Sequence, residues 1–514
     1  MPVSLARSTA YRILRRIDSA SALAVDLLQS EEVSALREVD RALVTELVMG
    51  VLRWRGELDF QIEKLSGKRL RIFDPEVVTV LRLGLYQIGF LEKIPVSAAV
   101  NEAVELVKQA RKRSAAGLVN AVLRKAERVG GRPTRRPGRR GGMAAEAEGA
   151  SQPEGSDSSA SSAGLVERAC RATPEWLLDR WTRQFGSDTA KGLAVASVSV
   201  PPTTLRVTGR QLSRQGIERD LAEEGIIVRP AQYAHDALVV ESGRVQASRA
   251  WREGRVVIQD EASQLVAALL RVGPGQRVLD LAAAPGIKTA QLAGLLSKAE
   301  EGRGFSPAGP KPSTGIIENS GAHFVGRTEA PPFLGLLQQP ASLLVASDVS
   351  ARRLGDLNRL LPRQVPPDVR LSVVRLDATE RLPFGSCFDR VLLDAPCSGT
   401  GTLARNPEIK WRLRPEDLAR LAENQARMLR HALEVLSPGG RLVYATCSLE
   451  REENEQVVER VLKETQGVRA VGRDELSREV PLVSGLIDAD GYFRTRPDRH
   501  GTDGFFAAVL ASDE

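Results

Sequence analysis

Cysteine, histidine and aromatic residues are all scarce in this chain. Four cysteines and four histidines are spread over 514 residues, and Phe, Trp and Tyr together make up 4%. Four irregularly spaced cysteines argue against a disulfide framework and against a zinc site, and fit a reducing cytoplasmic compartment. His235, His323, His431 and His500 form no spaced cluster, so no metal site is expected. No apolar run approaches the roughly 18–20 residues that a spanning helix requires, so no membrane partner is expected. What is plentiful is basic charge: 72 Lys and Arg against 65 Asp and Glu, a net charge of +7. An anionic partner is compatible with that balance but not demanded by it.

The length permits two to four domains. Residues 1–128 show helical spacing throughout, with Ala10, Ile13, Leu14 and Ile17 on one face and Leu43, Leu47, Val48, Val51 and Leu52 on another. The Arg-rich start has the look of a transit peptide, but its periodicity runs straight on into this domain. Lys108–Arg113 is a basic knot, either a solvated helix end or a phosphate-binding patch. Residues 129–164 turn to Arg/Gly/Pro and then to Ala/Glu/Ser, a composition that cannot bury a core, so a disordered linker is expected. Residues 165–258 mix helix with short strands, the pattern of a small α/β subdomain. From 259 to 514 apolar strands alternate with helices, which predicts a mainly parallel, doubly wound sheet. A Gly/Pro/Ser-rich stretch at 297–340 is read as a disordered surface insert.

In such sheets ligands lie at the carboxyl ends of the strands. Asp348, Asp377 and Asp394 all fall there. Asp348 is placed to bind ribose hydroxyls and Asp377 to meet an adenine amino group, although turn-forming or capping is an equal reading for Asp377. The loop Ala282-Ala283-Ala284-Pro285-Gly286-Ile287-Lys288 lets backbone approach a ligand, but it is neither a Gly-x-Gly-x-x-Gly fingerprint nor a P-loop. Cys397, in Asp394-Ala395-Pro396-Cys397-Ser398-Gly399-Thr400-Gly401, and Cys447, in Thr446-Cys447-Ser448, follow predicted strands in polar, turn-like contexts. Two thiols beside a ligand pocket point to covalent catalysis, one attacking and one assisting. Cys170 and Cys387 are expected to be small buried hydrophobes.

The Asp394–Gly401 run, Arg405-Asn406-Pro407-Glu408-Ile409-Lys410-Trp411, and Thr446-Cys447-Ser448 with Glu452-Glu453-Asn454-Glu455 together resemble the signature of the RNA cytosine-5 methyltransferases. Asp503-Gly504-Phe505-Phe506-Ala507 is similar to their closing strand. Residues 1–128 resemble the NusB-like RNA-binding domain, a combination found in the RsmB (Sun/Fmu) branch. The resemblance implies a multidomain protein: an all-α NusB-like domain, a small α/β subdomain, and an α/β Rossmann-like methyltransferase domain that uses S-adenosyl-L-methionine. It implies small-subunit ribosomal RNA as partner and 5-methylation of cytosine, by a cytoplasmic monomer. Cys447 would be the nucleophile, Cys397 would aid product release and Asp394 would support the base. Ala282, Ala283, Ala284, Pro285, Gly286, Ile287, Lys288, Asp348, Asp377 and Asp394 would hold the donor. Cytosine C5 is a poor nucleophile, and a thiolate added at C6 turns the ring into an enamine able to take a methyl group. Two positions depart from the family's Cys-Ala-Ala-Pro-Gly-Gly-Lys: Ala282 is expected to be harmless, and Ile287 to weaken donor binding if that position needs φ > 0. A transfer-RNA substrate, or an RNA-binding assembly factor without activity, are the alternatives. Exchanging RNA substrates and titrating the donor separate them.

Overall fold

A computed structural model describes residues 3–19, 22–129, 157–208, 213–297, 317–318, 342–361 and 364–513. The chain divides into two compact units, Met1–Pro201 with Thr402–Leu413, and Pro202–Gly401 with Arg414–Glu514.

The first unit is helical. Leu5–Ser19 buries Ala10, Ile13, Leu14 and Ile17 as its periodicity requires. The long helix Glu38–Ser66 buries Leu47, Val48, Val51 and Leu52. Pro75–Phe90 starts with proline in its first turn and is buried almost all round. Each fully buried Leu or Val side chain contributes about 1.5–3 kcal/mol, so this cluster, not helix propensity, holds the unit together.

The expected linker at 129–164 is corrected at its far end. Residues 130–156 lie outside the described residues, but Asp157–Arg171 is a helix. The apolar signal starts only at Leu165, and a nucleated helix extends upstream at one backbone hydrogen bond per residue. Arg168 and Arg171 pair with the buried Glu57 at 3.4 and 2.6 Å, and Arg168 lies 5.1 Å over the Trp54 ring. Ala169, Ala172, Ala194 and Val198 join the first unit's core. Helices Glu175–Phe185 and Ser187–Val198 fall in this unit, which runs to Pro201.

The second unit carries two sheets. The smaller contains β1 (Thr203–Val207), β2 (Ile227–Pro230), β3 (Ala237–Ser242) and β4 (Val256–Ile258), in the antiparallel order β2-β3-β1-β4. The larger contains β5 (Arg277–Leu281), β6 (Ile317–Glu318), β7 (Leu343–Asp348), β8 (Arg370–Arg375), β9 (Phe388–Asp394), β10 (Leu436–Thr446), β11 (Val468–Ala470), β12 (Phe493–Arg494) and β13 (Phe506–Ser512). Its order is β11-β13-β10-β9-β5-β7-β8-β6, with β12 on β13. The strands from β6 to β10 pair in parallel, and β13 closes antiparallel on β10. Both faces are buried: along β10, Leu442 and Tyr444 enter one core while Val443 and Ala445 enter the other. The expected insert at 297–340 is corrected at one point, because Ile317 and Glu318 pair with Val374 and Arg375. Two residues are too short to give a composition signal. Residues 298–316 and 319–341 lie outside the described residues.

Candidate active site

Parallel pairing aligns strand ends, and this builds the site. In the β9–β10 register Ala445 stands opposite Asp394, and Ala395 N donates to Ala445 O at 2.8 Å. Cys397 and Cys447 follow within three residues of these positions, on adjacent loops at one carboxyl edge. Their Sγ atoms are 3.3 Å apart. Gly401 holds the loops together: its N–H donates to Cys447 O at 2.9 Å and its carbonyl accepts from Gly504 N at 2.8 Å. A Cβ at Gly401 would lie 2.1 Å from Gly504 O and 2.8 Å from Cys447 O, so no side chain fits there.

The Cys397 thiol is held well above its ordinary range, first by its hydrogen bond with Cys447 and then by burial and the nearby carboxylates Glu453 and Asp394. Asp394 Oδ2 accepts from Lys288 Nζ at 2.7 Å, and that ammonium sits 5.2 Å over the Phe505 ring. Burial works against the Lys288 charge, but Asp394, Cys447 and Asp280 outweigh it and raise its pKa.

The loop 282–288 leaves β5 at the same edge. Ala283 N donates to Ser347 O at 2.7 Å, which ties the loop to β7. Positive φ falls on Ala282 (62°) and Gly286 (100°), not on Ile287. Ile287 is the first residue of helix Ile287–Leu296, where a branched side chain is tolerated, so the expected penalty at Ile287 does not arise. A Cβ on Gly286 would meet Leu357 Cδ2 at 2.6 Å.

Asp348, at the end of β7, is buried. Its Oδ1 accepts from Ser350 N at 2.8 Å, and Oδ2 stands 4.0 Å from Arg353 Nη1, too far for a hydrogen bond. That oxygen retains capacity for a hydroxyl donor, which suits a ribose. Leu376 N donates to Asp348 O at 3.3 Å and brings Asp377 beside it. Asp377 is exposed. Its Oδ1 accepts from Thr379 N and Thr379 Oγ1, so it is a turn former whose second oxygen is available. The carboxylates and the loop backbone fit a nucleoside bearing a cationic sulfonium.

Sequence reasoning missed several residues here. Asp280 lies within β5, and burial pushes its pKa up to about 7 while Thr289 Oγ1 donates to it at 2.6 Å. The available signal was an acid inside an apolar strand. Glu453 lies inside the Glu452–Glu455 run, which by itself assigns it no role. Lys410 and Trp411 belong to the first unit: Lys410 Nζ donates to Arg53 O at 2.8 Å and Ala172 O at 3.0 Å, and Trp411 Nε1 donates to Leu52 O at 2.8 Å.

Cys170 and Cys387 are half-buried, packed against the cores, with thiol pKa raised by burial. Among the described residues no group of His, Cys, Asp and Glu could hold a metal. His431 and His500 make backbone hydrogen bonds, and His323 lies outside the described residues. No described helix is long and apolar enough to cross a membrane. In the basic knot, Lys108 pairs with Glu105 and Lys112 with Asp74, which favours the structural reading. The first unit also carries a cavity of about 910 Å³ of mixed charge, lined by Arg15, Arg55, Arg69 and Arg71 together with Asp18, Glu63 and Glu408; Arg55 pairs with Asp18 at 2.7 Å and Arg69 with Glu63 at 3.8 Å.

Family models match three stretches: the NusB family over residues 4–128, the RsmF/B-like ferredoxin-like domain over 173–246, and 16S rRNA methyltransferase RsmB/F over 330–511. The chain is 31% identical to the probable ribosomal RNA small subunit methyltransferase B of Bacillus subtilis, covering 98% of each chain. It is 32% identical to ribosomal RNA small subunit methyltransferase B of Pseudomonas putida, covering 92% of this chain and 91% of that one. A methyltransferase homolog from Pyrococcus horikoshii matches with a TM-score of 0.50 at 25% identity, covering 68% of this chain and 99% of that one.

Proposed function

The chain belongs to the ribosomal RNA small subunit methyltransferase B family, and from this premise we propose that it transfers a methyl group from S-adenosyl-L-methionine to C5 of a cytosine in 16S rRNA. The thiol pair carries this reading: Cys397 and Cys447, 3.3 Å apart beside Asp394 and Lys288. A family acting at a base nitrogen or a ribose oxygen would have no use for two adjacent thiols.

Cys447 Sγ, as thiolate, forms a bond to C6, and the displaced electron pair makes C5 nucleophilic. The Asp394 carboxylate hydrogen-bonds the ring edge and favours the protonated form of the ring, which helps the addition. Residues 282–288, Asp348 and Asp377 would hold S-adenosyl-L-methionine, whose sulfonium would supply the electrophilic methyl group and depart as a neutral thioether. After transfer the C5 proton passes to water, its electron pair re-forms the C5–C6 double bond, and the Cys447–C6 bond breaks with the thiolate restored, Cys397 serving this release. The cavity of the helical unit offers weaker support for an RNA partner: Arg15, Arg55 and Arg69 already pair with Glu76, Asp18 and Glu63, which leaves Arg71 as the named guanidinium with no ion pair among the described residues.

The test is labelled donor with small-subunit rRNA from cells lacking the modification, digested to nucleosides. Label in 5-methylcytidine is expected. Label in any other nucleoside overturns the reading.

A further inference from the structure

Behind the thiol pair lies a carboxylate that the chemistry above does not use. Glu453 is fully buried, and among the described residues no cation pairs with it. Desolvating a lone carboxylate costs several kcal/mol unless donors replace the lost water. Here four do. Oε1 accepts from Ser398 N at 2.8 Å and Gln425 Nε2 at 3.0 Å, and Oε2 accepts from Ser398 Oγ and Ser448 Oγ, each at 2.5 Å.

The identity of the two serines matters. Ser398 follows Cys397 and Ser448 follows Cys447, so one carboxylate grips both cysteine loops one residue beyond each thiol. The two hydroxyls are also 3.1 Å from each other. Further contacts fix Glu453 itself: its carbonyl accepts from Tyr444 OH at 2.5 Å, and the next residue, Asn454, accepts from Thr446 Oγ1 and donates to Ser448 O. Filling space would not require a buried acid at this point, since an apolar side chain would do so without the cost of desolvation.

We propose that Glu453 is the positioning residue of the thiol pair, clamping the Cys397 and Cys447 loops to each other through Ser398 and Ser448. The proposal rests on the cysteine reading for its importance to the reaction, but not for its geometry. Glu453 also acts on Cys397 directly: the hydrogen bond with Cys447 comes first, then burial, and the carboxylates of Glu453 and Asp394 add to what holds this thiol above its ordinary range.

Two readouts test this in the full-length protein. Glu453→Ala removes the clamp. Single-turnover methyl transfer at saturating donor and RNA should fall about 100-fold, the scale of a misplaced reacting group, with donor affinity unchanged. Glu453→Gln keeps an acceptor for Ser398 N and Gln425 and lets the serine hydroxyls rotate to accept from the amide, so it should recover much of that rate. It removes the anion, so iodoacetamide should label Cys397 faster than in the wild type at equal pH, as read by peptide mass spectrometry. A residue that merely filled space would not change the ratio of labelling at the two thiols. If Glu453→Ala fails to fold, Ser398→Ala with Ser448→Ala cuts the same clamp from the other side and is expected to lose transfer likewise. Wild-type transfer in these clamp variants, or an unchanged Cys397 to Cys447 labelling ratio in Glu453→Gln, overturns the proposal. If Cys447→Ala still methylates while the labelling ratio moves in Glu453→Gln, the cysteine mechanism fails and the positioning role stands. If Cys447→Ala is inactive and the clamp variants are not, the reverse holds.

Discussion

Gly401 shows how far the site depends on single atoms. Its missing Cβ lets Gly504 and the Cys447 loop approach, so Gly401→Ala must push backbone apart at two contacts of 2.1 and 2.8 Å. Overpacking of this kind costs about 1–3 kcal/mol, and the displaced Cys447 loop should also lose transfer activity. Thermal melting and single-turnover rates on Gly401→Ala check both. Ile287 makes the opposite point. The family's second glycine is absent here, yet the left-handed backbone falls on Ala282 and Gly286, with Ile287 already helical. Ile287→Gly should therefore leave donor affinity within about twofold of wild type, or roughly 0.4 kcal/mol, in a calorimetric titration. That position was legible as a departure from a motif, but its φ depends on where the helix begins, which the motif alone does not give.

Among elements, the most instructive is the segment Thr402–Leu413. Its residues read as part of a catalytic signature, because they follow the Cys397 run closely in sequence. In the structure they belong to the helical unit, with Lys410 wholly buried against the carbonyls of Arg53 and Ala172. Sequence periodicity could not reveal this, since the partners lie more than 200 residues away in the chain. Burial, together with the charge of Arg53, pushes the Lys410 pKa down from 10.5 to about 7. Between these two values the unfolded chain holds a proton that the folded chain does not, so stability rises with pH across that window. Lys410→Met removes this dependence. The difference in melting temperature between wild type and variant should grow in favour of wild type from about pH 7 to pH 10, and a constant difference contradicts the assignment. The strands of the large sheet were far more legible than this segment, because a parallel sheet buried on both faces leaves continuous apolar runs such as Leu343–Asp348. The pair Ile317–Glu318 and the upstream half of Asp157–Arg171 were not legible, the one being too short and the other having no apolar residue larger than alanine.

For the whole molecule, the proposed reading assigns chemistry to the carboxyl edge of the large sheet, where the thiols and the loop 282–288 lie, and RNA contact to the helical unit, where Arg69 and Arg71 line a cavity. Reversing charge with Arg69→Glu and Arg71→Glu should weaken rRNA binding, and should flatten its salt dependence by about one unit of slope for each phosphate no longer neutralised. Donor affinity should stay unchanged, as filter binding at several salt concentrations and calorimetry will report. The central claim, however, is covalent chemistry by the thiol pair, and one experiment addresses it directly. Cys397→Ala is incubated with unmodified small-subunit rRNA and S-adenosyl-L-methionine, then run on a denaturing gel beside the double variant Cys397→Ala with Cys447→Ala. Covalent catalysis predicts a slow-migrating protein–RNA adduct in the single variant that disappears in the double. No adduct in the single variant, or an adduct that survives removal of the Cys447 thiol, would contradict it.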